Sequence, residues 1–326
     1  MKLVVQIPCL NEAKTLPLVL KSIPKKITGI DSIEILIIDD GSTDDTIKVA
    51  QQLGVKHFVR HTRNIGLGWS FRDGVMRSLE LGADIVVNTD GDNQYPQKSI
   101  PELIAPILNG QADIVVADRQ VSKIPHFSTG KKILQKLGSR VVNIAAGTNI
   151  PDAPSGFRAY SRQALLKLNT TARFSYTMES LIQAGSKGLA ITSVPITTNP
   201  KTRESRLFNS NLEHIVKSGV IILRSYIMYR PYVLFASLGS LLFVGGIIPF
   251  ARFGWFFYEG ARGQHIQSLV IGSTLLFGSL LCFALGVIAD LIRINRSLLD
   301  DQLEITKRTH LATHKLRRPT NQPQKS

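Results

Sequence analysis

The sequence predicts an α/β fold, with a mostly parallel sheet covered by helices on both faces, followed by a C-terminal two-helix transmembrane hairpin. Over about the first 200 residues, short runs rich in Val and Ile alternate with longer segments of helical period, which is typical of βαβ units. The runs are continuously apolar, as expected for strands that are buried on both faces. Beyond residue 230, two long stretches carry no charged side chain.

Six short apolar runs are predicted to form the strands of this sheet. They are Leu3–Ile7, Glu34–Ile38, Lys56–Val59, Ile85–Asn88, Ile114–Ala117 and Ile191–Pro195. The first run follows Met1 almost directly and is too short for the apolar region of a signal peptide. We therefore expect the N-terminal domain to stay in the cytosol.

Acidic residues follow two of the predicted strands. Asp39 and Asp40 end the second run, and Asp90 and Asp92 come directly after the fourth. Open α/β sheets bind ligands at the carboxyl ends of their strands. Two carboxylates one Gly apart, with the amide of Gln94 two positions on, can converge on a hard divalent cation, which prefers oxygen ligands. Alone this pattern is weak evidence, because acidic residues also end strands as turn formers.

The C-terminal region is predicted to cross a membrane twice. Tyr232–Phe250 spans 19 residues without a charge and Ile266–Ala289 spans 24. As helices they are about 28 and 36 Å long, against a hydrocarbon core of about 30 Å. The alternative is a buried helical hairpin of a soluble protein. Pro249 is expected to end or kink the first span, and the connection Ala251–His265 contains a group of aromatic residues typical of a membrane interface.

More basic residues flank the hairpin than lie in the connection between its two helices. Only Arg252 and Arg262 lie in the connection, and the flanking residues are Lys217, Arg224, Arg230, Arg293, Arg296, Lys307, Arg308, Lys315, Arg317 and Arg318. This asymmetry predicts a multi-pass protein of the cell (inner) membrane whose two ends are both cytosolic. Residues after Thr306 are polar, basic and Pro-containing, so we expect a mobile tail.

Four segments are therefore predicted along the chain. They are a cytosolic α/β domain over 1–207, an amphipathic juxtamembrane segment over 208–230, two membrane helices within 231–292 at about 232–250 and 266–289, and a basic cytosolic tail over 293–326. The juxtamembrane segment has helical apolar spacing among basic residues, which fits either an interfacial helix or a helix packed on the cytosolic domain.

The net charge of the 326-residue chain is +15, which at first points to a polyanionic partner. Residues 200–326 hold 16 of the 39 basic side chains but only 7 of the 24 acidic ones, so much of the excess lies beside the predicted membrane helices. No basic and aromatic interleaving typical of nucleic-acid binding occurs in the N-terminal half. Cys9 and Cys282, the only cysteines, give no disulfide framework. We expect a membrane partner and no nucleic acid, and oligomeric state stays open.

Five motifs in a fixed order resemble a known family. They are Pro8–Glu12, Asp39–Asp45, Arg63–Gly68, the Asp90/Asp92 pair, and Asp152–Tyr160. Together they resemble the inverting family-two glycosyltransferases of GT-A fold, particularly the branch of dolichyl-phosphate mannose synthase and bacterial polyprenyl-phosphate glycosyltransferases. The motifs cover about residues 1–210, and the membrane hairpin extends the resemblance to about residue 292 in the bacterial subset.

The resemblance implies a nucleotide-sugar donor and a divalent metal. The residues that it places on the donor are Pro8, Leu10, Asn11, Glu12, Asp39, Asp40, Gly68, Asp90 and Gly91. It assigns Asp39 to a base N–H and Glu12 to base or ribose hydroxyls, since carboxylates are good acceptors. Mg²⁺ or Mn²⁺ on the diphosphate would be held by Asp90, Asp92 and Gln94, with Asp92 counted among the catalytic residues.

The resemblance also implies a polyprenyl (dolichyl or undecaprenyl) phosphate acceptor. The residues matching its acceptor-phosphate positions are Arg119, Lys131, Lys132, Arg203 and Arg206. Gln135 departs from the pattern, because the synthases carry a serine there, and the lysines fit a solvated helix face equally well. Asp152 matches a position proposed for base or acceptor positioning. If the acceptor were a hydroxyl, Asp152 would be the expected general base, since an alcohol must lose its proton; its alternative role is capping the backbone of the loop that follows it.

The predicted function is transfer of a hexose from a UDP- or GDP-sugar to a polyprenyl phosphate on the cytosolic leaflet, with Asp92, Asp152 and Arg119 as catalytic residues. One alternative is transfer to a hydroxyl of another lipid or glycan. An alternative from a different class is a nonenzymatic membrane scaffold that binds a nucleotide sugar, against which the intact Asp90/Asp92 pair argues.

Overall fold

The computed structural model describes most of the chain. The described residues are 1–121, 129–173, 175–200, 219–220, 223–224, 227, 230–260 and 266–317, with the side chains of 129–131, 133–134 and 314–317 left out. They divide into two compact units, one of Met1–Leu223 with Asp300–Ser326 and one of Arg224–Leu299.

A seven-stranded sheet forms the centre of the first unit. Its strands are β1 (Lys2–Cys9), β2 (Ser32–Asp39), β3 (His57–Arg60), β4 (Ile85–Asn88), β5 (Ile114–Asp118), β6 (Arg158–Ser161) and β7 (Ile191–Pro195). They lie in the order β3-β2-β1-β4-β6-β5-β7. All neighbours are parallel except for β6, which is antiparallel to both β4 and β5. The predicted α/β fold with a mostly parallel sheet is confirmed.

The predicted strands all occur, but the sequence prediction missed β6. This strand reads Arg-Ala-Tyr-Ser and has no Val or Ile run. It is inserted between β4 and β5, where Asn88 pairs with Arg158. An antiparallel strand of four residues inside a motif gives neither the apolar run nor the spacing that identified the others.

Nine helices with defined bounds accompany the strands in the described part of the chain, besides a 3-10 turn at Gln97–Ser99 and the helical residues 219–220, 223–224 and 227. They are α1 (Leu16–Ser22), α2 (Thr46–Gln52), α3 (Leu67–Glu80), α4 (Ile100–Leu108), α5 (Thr129–Ala146), α6 (Arg162–Lys167), α7 (Thr177–Ser186), α8 (Pro231–Tyr258) and α9 (Ile266–Arg317).

Both faces of the central strands are covered, as continuous apolar runs require. Leu3 and Val5 of β1 belong to one core with residues of α1 and α4. On the opposite face, α3 approaches so closely that a Cβ added at Gly74 would lie 2.8 Å from Ile38 Cδ1. The sheet is therefore rigid between two layers, and its carboxyl edge can hold side chains in fixed positions.

Helices α8 and α9 are each long enough and apolar enough to cross a membrane. Only 11% of the most apolar window of each helix is buried, whereas a hairpin in a soluble core would be mostly buried. Within this second unit, Ser279 Oγ donates to Gly239 O at 2.8 Å, and a Cβ at Gly246 would lie 2.9 Å from Leu276. Small residues at the contact between two helices are typical of membrane packing.

Both long helices extend beyond their predicted ends. Of the two expectations for Pro249, the ending of the first span differs from the structure, because α8 continues through Pro249 to Tyr258 and takes in the first part of the predicted connection. Apolar helices tolerate an internal proline where neighbouring groups satisfy the freed carbonyl. The expected mobile tail after Thr306 also differs as far as Arg317, where α9 ends, and residues 318–326 lie outside the described part of the chain. The juxtamembrane segment 208–230 lies almost wholly outside the described residues.

Candidate active site at the carboxyl edge of the sheet

The loops that follow β1 and β2 are joined by Asn11. Its backbone has a left-handed φ of 58°, which Asn tolerates better than most residues. Asn11 N donates to Ser42 Oγ at 2.9 Å, and Asn11 Oδ1 accepts from Thr43 N at 2.8 Å and from Asp44 N at 3.3 Å. Asn11, predicted to bind donor, thus also builds the site by holding the two loops together.

Two buried carboxylates lie where these loops meet. Glu12 is 5% exposed and accepts from Thr15 Oγ1 at 2.7 Å, and Asp39 is 4% exposed and accepts from Ser42 N at 3.1 Å. Burial, followed by the charges of Glu12 and Asp39, raises the pKa of Cys9 well above its ordinary value. The thiol is therefore neutral, and this end of β1 is a region of concentrated negative charge.

Pro8 and Leu10 frame the same loop. Pro8 is buried in β1, where it pairs with Ile38, and Leu10 follows the strand and is half-buried. Their backbone carries the chain from the sheet into the site. Both residues are therefore placed at the edge to which the sequence analysis assigned them.

Asp40 is engaged with a neighbouring loop. Its Oδ1 accepts from Ile65 N at 2.9 Å and lies 3.0 Å from His61 Nδ1, and its Oδ2 accepts from Gly66 N at 3.0 Å. Gly41, with a φ of 80°, allows this close packing, since a Cβ there would lie 2.7 Å from the backbone of the loop. Asp40 therefore fixes the chain between β3 and α3. Its last part together with the first two residues of α3 is called here the Asn64–Gly68 loop.

Gly68 makes its close approach to another part of the protein. A Cβ added at Gly68 would lie 1.9 Å from Ala172 O, and Gly68 N donates to Arg173 O at 2.9 Å. The resemblance places Gly68 among the donor residues. In the structure, the glycine lets the segment before α7 pack against the start of α3.

Gly68→Ala is expected to separate these two segments. The added methyl group overlaps Ala172 O, and overpacking typically costs about 1–3 kcal/mol, or a fall of roughly 2–12 °C in Tm for a domain of this size. Gly138→Ala in α5 is the matched control, because no described atom lies within 4 Å of a Cβ at that position. Thermal unfolding of the two variants checks this, and an equal Tm for both contradicts the packing described.

The loop after β4 brings Asp90 and Asp92 to the same edge. A Cβ at Gly156 would lie 3.4 Å from Asp90 Oδ2, and one at Gly91 would lie 3.1 Å from Cys9 Sγ. Asp92 Oδ1 accepts from Gln94 N at 3.1 Å, and Asp92 Oδ2 accepts from Gln94 Nε2 at 2.7 Å. The loop is thus folded on itself and packed against the β1 loop.

The donor set of this loop suits a cation that shares its ligands with a substrate. No group of three or more His, Cys, Asp or Glu side chains poised for a metal occurs among the residues that the structure describes. Mg²⁺ characteristically takes only one or two protein carboxylates and completes its shell with waters and substrate phosphates. Asp90 and Asp92 fit that pattern, and Gln94 can add its amide oxygen Oε1 because its nitrogen faces Asp92.

Arg119 and Asp152 form a bidentate ion pair beside this loop. Arg119 Nε donates to Asp152 Oδ2 at 2.6 Å, and Arg119 Nη2 donates to Oδ1 at 2.8 Å. The side chain of Asp152 is 1% exposed and that of Arg119 is 17% exposed. Burial alone lowers the pKa of Arg119, but Tyr95, Asp152 and Asp90 outweigh it and the net pKa is raised. Two residues predicted as separate catalytic groups are therefore one unit.

Arg158 holds the backbone of the loop that contains Asp152, a role that the sequence analysis missed. Its side chain is fully buried and donates to Ala153 O at 2.6 Å, Ser155 O at 2.7 Å and Thr177 O at 2.8 Å. A guanidinium has five donors in a fixed fork, so it can pin several carbonyls at once. The signal was present, since Arg158 lies within the Asp152–Tyr160 motif.

A second missed group is a buried polar chain that reaches Gly156. Asn88 Nδ2 donates to Tyr176 Oη at 2.6 Å and to Gly156 O at 3.1 Å, and Gln6 Nε2 donates to Asn88 Oδ1 at 3.0 Å. Tyr176 stacks on Phe71 with ring centroids 3.9 Å apart. These contacts fix the backbone beside Asp90 from the sheet interior.

The sequence of this edge matches a known family. Residues 4–168, half of the chain, match the family model of glycosyl transferase family 2. The chain belongs to glycosyl transferase family 2. The resemblance inferred from the five motifs is thereby confirmed, and so is the prediction that the chain is a glycosyltransferase.

Relatives of this family 2 glycosyltransferase include two archaeal enzymes. A UDP-N-acetylglucosamine–dolichyl-phosphate N-acetylglucosaminyltransferase of Methanococcus voltae is 30% identical over 59% of this chain and 83% of the relative. A dolichol-phosphate mannosyltransferase of Pyrococcus furiosus is 30% identical over 73% of this chain and 74% of the relative. Both alignments extend beyond a short motif.

Among solved structures, glucosyl-3-phosphoglycerate synthase from Mycobacterium tuberculosis, in complex with Mn²⁺, uridine diphosphate and phosphoglyceric acid, has a similar fold. It is 25% identical, with a TM-score of 0.51 over 69% of this chain and 76% of that chain. The predicted GT-A architecture is confirmed at the level of the sheet and its helices.

The predicted acceptor residues of this glycosyltransferase are described only in part. Arg203 and Arg206 lie outside the described residues, and so does the side chain of Lys131. Lys132 lies in α5 and is half-buried. Asn199 ties the chain to the loop after β4 just before that undescribed part begins, because its Nδ2 donates to Asn93 O at 3.0 Å.

Proposed function

We propose that this glycosyltransferase moves a hexose from a UDP- or GDP-sugar to a polyprenyl phosphate, with inversion at the anomeric carbon. The observation that carries the proposal is the packing of the loop after β4 on the end of β1, where a Cβ at Gly91 would lie 3.1 Å from Cys9 Sγ and 3.2 Å from Glu12 Cγ. Glu12, Asp39 and Asp90 all help to raise the pKa of Cys9 there, after the larger effect of burial. Two carboxylates that can bind a nucleoside, Glu12 and Asp39, thus lie near Asp90, which can bind the metal ion of a diphosphate.

The β1 and β2 loops are the proposed nucleoside site. Asp39 accepts a hydrogen bond from a base N–H. Glu12 accepts a hydrogen bond either from the base or from a ribose hydroxyl, as ionised carboxylates do. Asn11 and Asp40 hold the surrounding loops in place through the contacts described above. Uridine diphosphate in the structure of the Mycobacterium tuberculosis synthase supports a nucleotide donor.

Asp90, Asp92 and Gln94 are the proposed ligands of Mg²⁺ or Mn²⁺. Bound there, the cation would neutralise the charge that develops on the departing nucleoside diphosphate. Mn²⁺ in the same synthase structure supports a divalent metal. The hydrogen bonds from Gln94 to Asp92 keep the carboxylate oriented before donor binds.

The Arg119–Asp152 pair favours a phosphate acceptor over a hydroxyl. An alcohol needs a base to take its proton, whereas a phosphate oxygen attacks as an anion and needs positioning and charge neutralisation. Both oxygens of Asp152 accept from Arg119, so this carboxylate is arranged to orient Arg119. Arg119 then binds the acceptor phosphate through the guanidinium edge that Asp152 does not occupy.

In the proposed reaction, a bond forms between a phosphate oxygen of the lipid and the anomeric carbon. The bond from that carbon to the diphosphate oxygen breaks, and its electron pair leaves with the nucleoside diphosphate. Lys131, Lys132, Arg203 and Arg206 are proposed to add positive charge around the lipid phosphate. The names of the two archaeal relatives, which specify dolichyl or dolichol phosphate, support this acceptor class.

Helices α8 and α9 are proposed to anchor the chain in the cell membrane as two spans. The greater number of basic residues outside the hairpin than in its connection supports a cytosolic catalytic domain and C-terminus. A lipid acceptor and a soluble donor then meet on the cytosolic face.

Release of nucleoside diphosphate tests the acceptor. Purified full-length chain is incubated with UDP- or GDP-hexoses and Mn²⁺, with polyprenyl phosphate, the matching polyprenol, or detergent alone. We expect polyprenyl phosphate to raise the release rate by at least about tenfold, equivalent to 1.4 kcal/mol, and polyprenol to leave it near background. Equal stimulation by the polyprenol contradicts the proposal and favours a hydroxyl acceptor.

A further inference from the structure

The last part of α9 packs on the first unit, to which it belongs. This part, Asp300–Thr313, is called here the C-terminal helical segment. Lys307 Nζ donates to Leu168 O at 2.8 Å, to Asn169 Oδ1 at 2.8 Å and to Leu166 O at 3.4 Å. One ammonium thus holds three oxygens at the end of α6 and in the turn that follows it.

Asp300 holds the same turn from the other side. Its Oδ1 accepts from Asn169 Nδ2 at 3.0 Å, and its Oδ2 accepts from Gln183 Nε2 and from Lys187 Nζ, both at 3.4 Å. The side-chain amide of Asn169 is therefore bound by the C-terminal helical segment at its oxygen and at its nitrogen. These contacts define one position for Asn169.

Burial disfavours the charged form of Lys307. Desolvation, with a smaller effect of Lys187, lowers the pKa of Lys307 to about 8, and Asp300 and Glu304 act in the opposite direction. A partly buried ammonium is stable only where several acceptors replace water. The three oxygens at the turn supply them, so the geometry of the turn and the docking of the helix depend on each other.

The turn leads directly into Leu168–Arg173, called here the bridge segment. Its middle is bound to a buried carboxylate, because Thr171 N donates to Glu179 Oε1 at 3.1 Å and Ala172 N donates to Glu179 Oε2 at 2.9 Å. Glu179 is 1% exposed. The bridge segment is therefore anchored at one end by the C-terminal helical segment and at its middle by α7.

The far end of the bridge segment holds the Asn64–Gly68 loop. Arg173 Nε donates to Ile65 O at 2.6 Å and Arg173 Nη2 donates to Asn64 O at 2.9 Å. Trp69 Nε1 donates to Thr171 O at 3.3 Å. This loop is the one that Asp40 binds beside the proposed nucleoside site, so contacts run without a break from α9 to the donor-binding edge.

We propose that Lys307 and Asp300 are positioning residues of the donor site, which act by docking the C-terminal helical segment against the bridge segment and so fixing the Asn64–Gly68 loop. The inference rests on the proposed function in taking a nucleotide sugar as the ligand of that site. Neither residue touches the ligand. Their loss weakens donor binding while the reacting groups at Asp92 and Arg119 stay in place.

The test compares Lys307→Met with Arg308→Met in the full chain. Arg308 is adjacent on the same helix but binds Glu304 and Gln163, outside the bridge segment. We expect Lys307→Met to raise the KM for the donor about 5- to 50-fold, which lies within the roughly 5- to 150-fold range of typical coupling between sites, with kcat within about twofold of the parent. Arg308→Met is expected to leave both constants unchanged, and Asp300→Asn to act in the same direction as Lys307→Met.

Trp69 emission reports the bridge segment independently of turnover. Trp69 and Trp255 are the only tryptophans, so Trp255→Phe leaves Trp69 as a single probe. In this background we expect Lys307→Met, but not Arg308→Met, to shift the emission maximum of Trp69, while thermal unfolding shows that each variant is folded. Unchanged emission together with an unchanged KM overturns the inference.

Calorimetric binding of UDP and of GDP separates this inference from the proposed function. If the parent chain turns over with polyprenyl phosphate and Lys307→Met matches it in KM, the positioning role is wrong and the proposed function stands. If the parent chain shows no turnover, the proposed function fails, and a weaker nucleotide affinity in Lys307→Met still supports the positioning role. If the parent chain binds neither nucleotide, both are wrong.

Discussion

Replacing Asp92 with Asn is expected to lower turnover about 10²- to 10³-fold, the loss seen when a group that stabilises developing charge is removed. The amide oxygen can still accept from Gln94 N, as Asp92 Oδ1 does at 3.1 Å, so the backbone contact within the loop after β4 is kept. Gln94 Nε2 loses its acceptor Oδ2, and a turn of the Gln94 amide lets its oxygen accept from the new NH2 group. What changes is the negative charge offered to a divalent cation. Initial rates of nucleoside diphosphate release, titrated with Mn²⁺, measure both the loss and a raised metal requirement.

Asp45→Asn is the matched control for this change. Asp45 is the last residue of the Asp39–Asp45 motif, and its side chain is exposed. Among the described ion pairs it pairs only with Lys48. We expect its rate and its metal titration to equal those of the parent. Unaltered turnover in Asp92→Asn would remove Asp92 from the metal site.

Breaking the Arg119–Asp152 pair is expected to have the largest effect on stability. Asp152→Ala removes the carboxylate partner of the Arg119 guanidinium, which is largely buried. Removal of one partner of a buried pair costs about 3–5 kcal/mol. For a domain of this size that corresponds to a fall of roughly 6–20 °C in Tm. Thermal unfolding of the full chain in detergent measures it.

A double-mutant cycle gives this prediction its control. Arg119→Met with Asp152→Ala removes both charges, so the double variant is expected to be more stable than Asp152→Ala alone. Activity is expected to stay low in all three variants, because Arg119 is the proposed phosphate ligand. Additive losses in Tm would show that the two side chains act independently, contrary to the distances of 2.6 and 2.8 Å between them.

Much of the fold could be predicted from the sequence because its parallel strands are short runs of apolar, mainly β-branched residues. The run at Ile85–Asn88 matches β4 at both ends. Strand β6 escaped prediction, since its four residues, Arg-Ala-Tyr-Ser, contain no run of Val or Ile. Pairing with strands far away in sequence, rather than local propensity, makes those residues a strand.

The site was predictable in location but not in its internal partnerships. Motif order placed Asp39 and Asp90 at the same edge, and the structure has both acting on Cys9. That Asp152 binds Arg119 depends on a contact between residues 33 apart in sequence. Likewise, the partner of Gly68 is the backbone of Ala172, which no local pattern could identify.

The end of α9 shows the same limit at larger separation. Lys307 and Asp300 lie in a stretch whose polar composition predicts a solvated tail or helix face, yet they bind the turn at Asn169. The sequence separation between Asn169 and Asp300 is 131 residues. Composition identifies which residues are polar, and only the tertiary structure shows which of them are buried against one another.

Mass spectrometry of the lipid product tests the central claim most directly. The full-length chain is incubated with a UDP- or GDP-hexose, Mn²⁺ and polyprenyl phosphate, and the lipid fraction is compared with that of Asp92→Asn. The account predicts a polyprenyl phosphate that carries one hexose, formed by the parent chain and nearly absent with Asp92→Asn. A screen of donors in which the polyprenyl phosphate stays unmodified, while another lipid or glycan acquires the hexose at a hydroxyl, would contradict it.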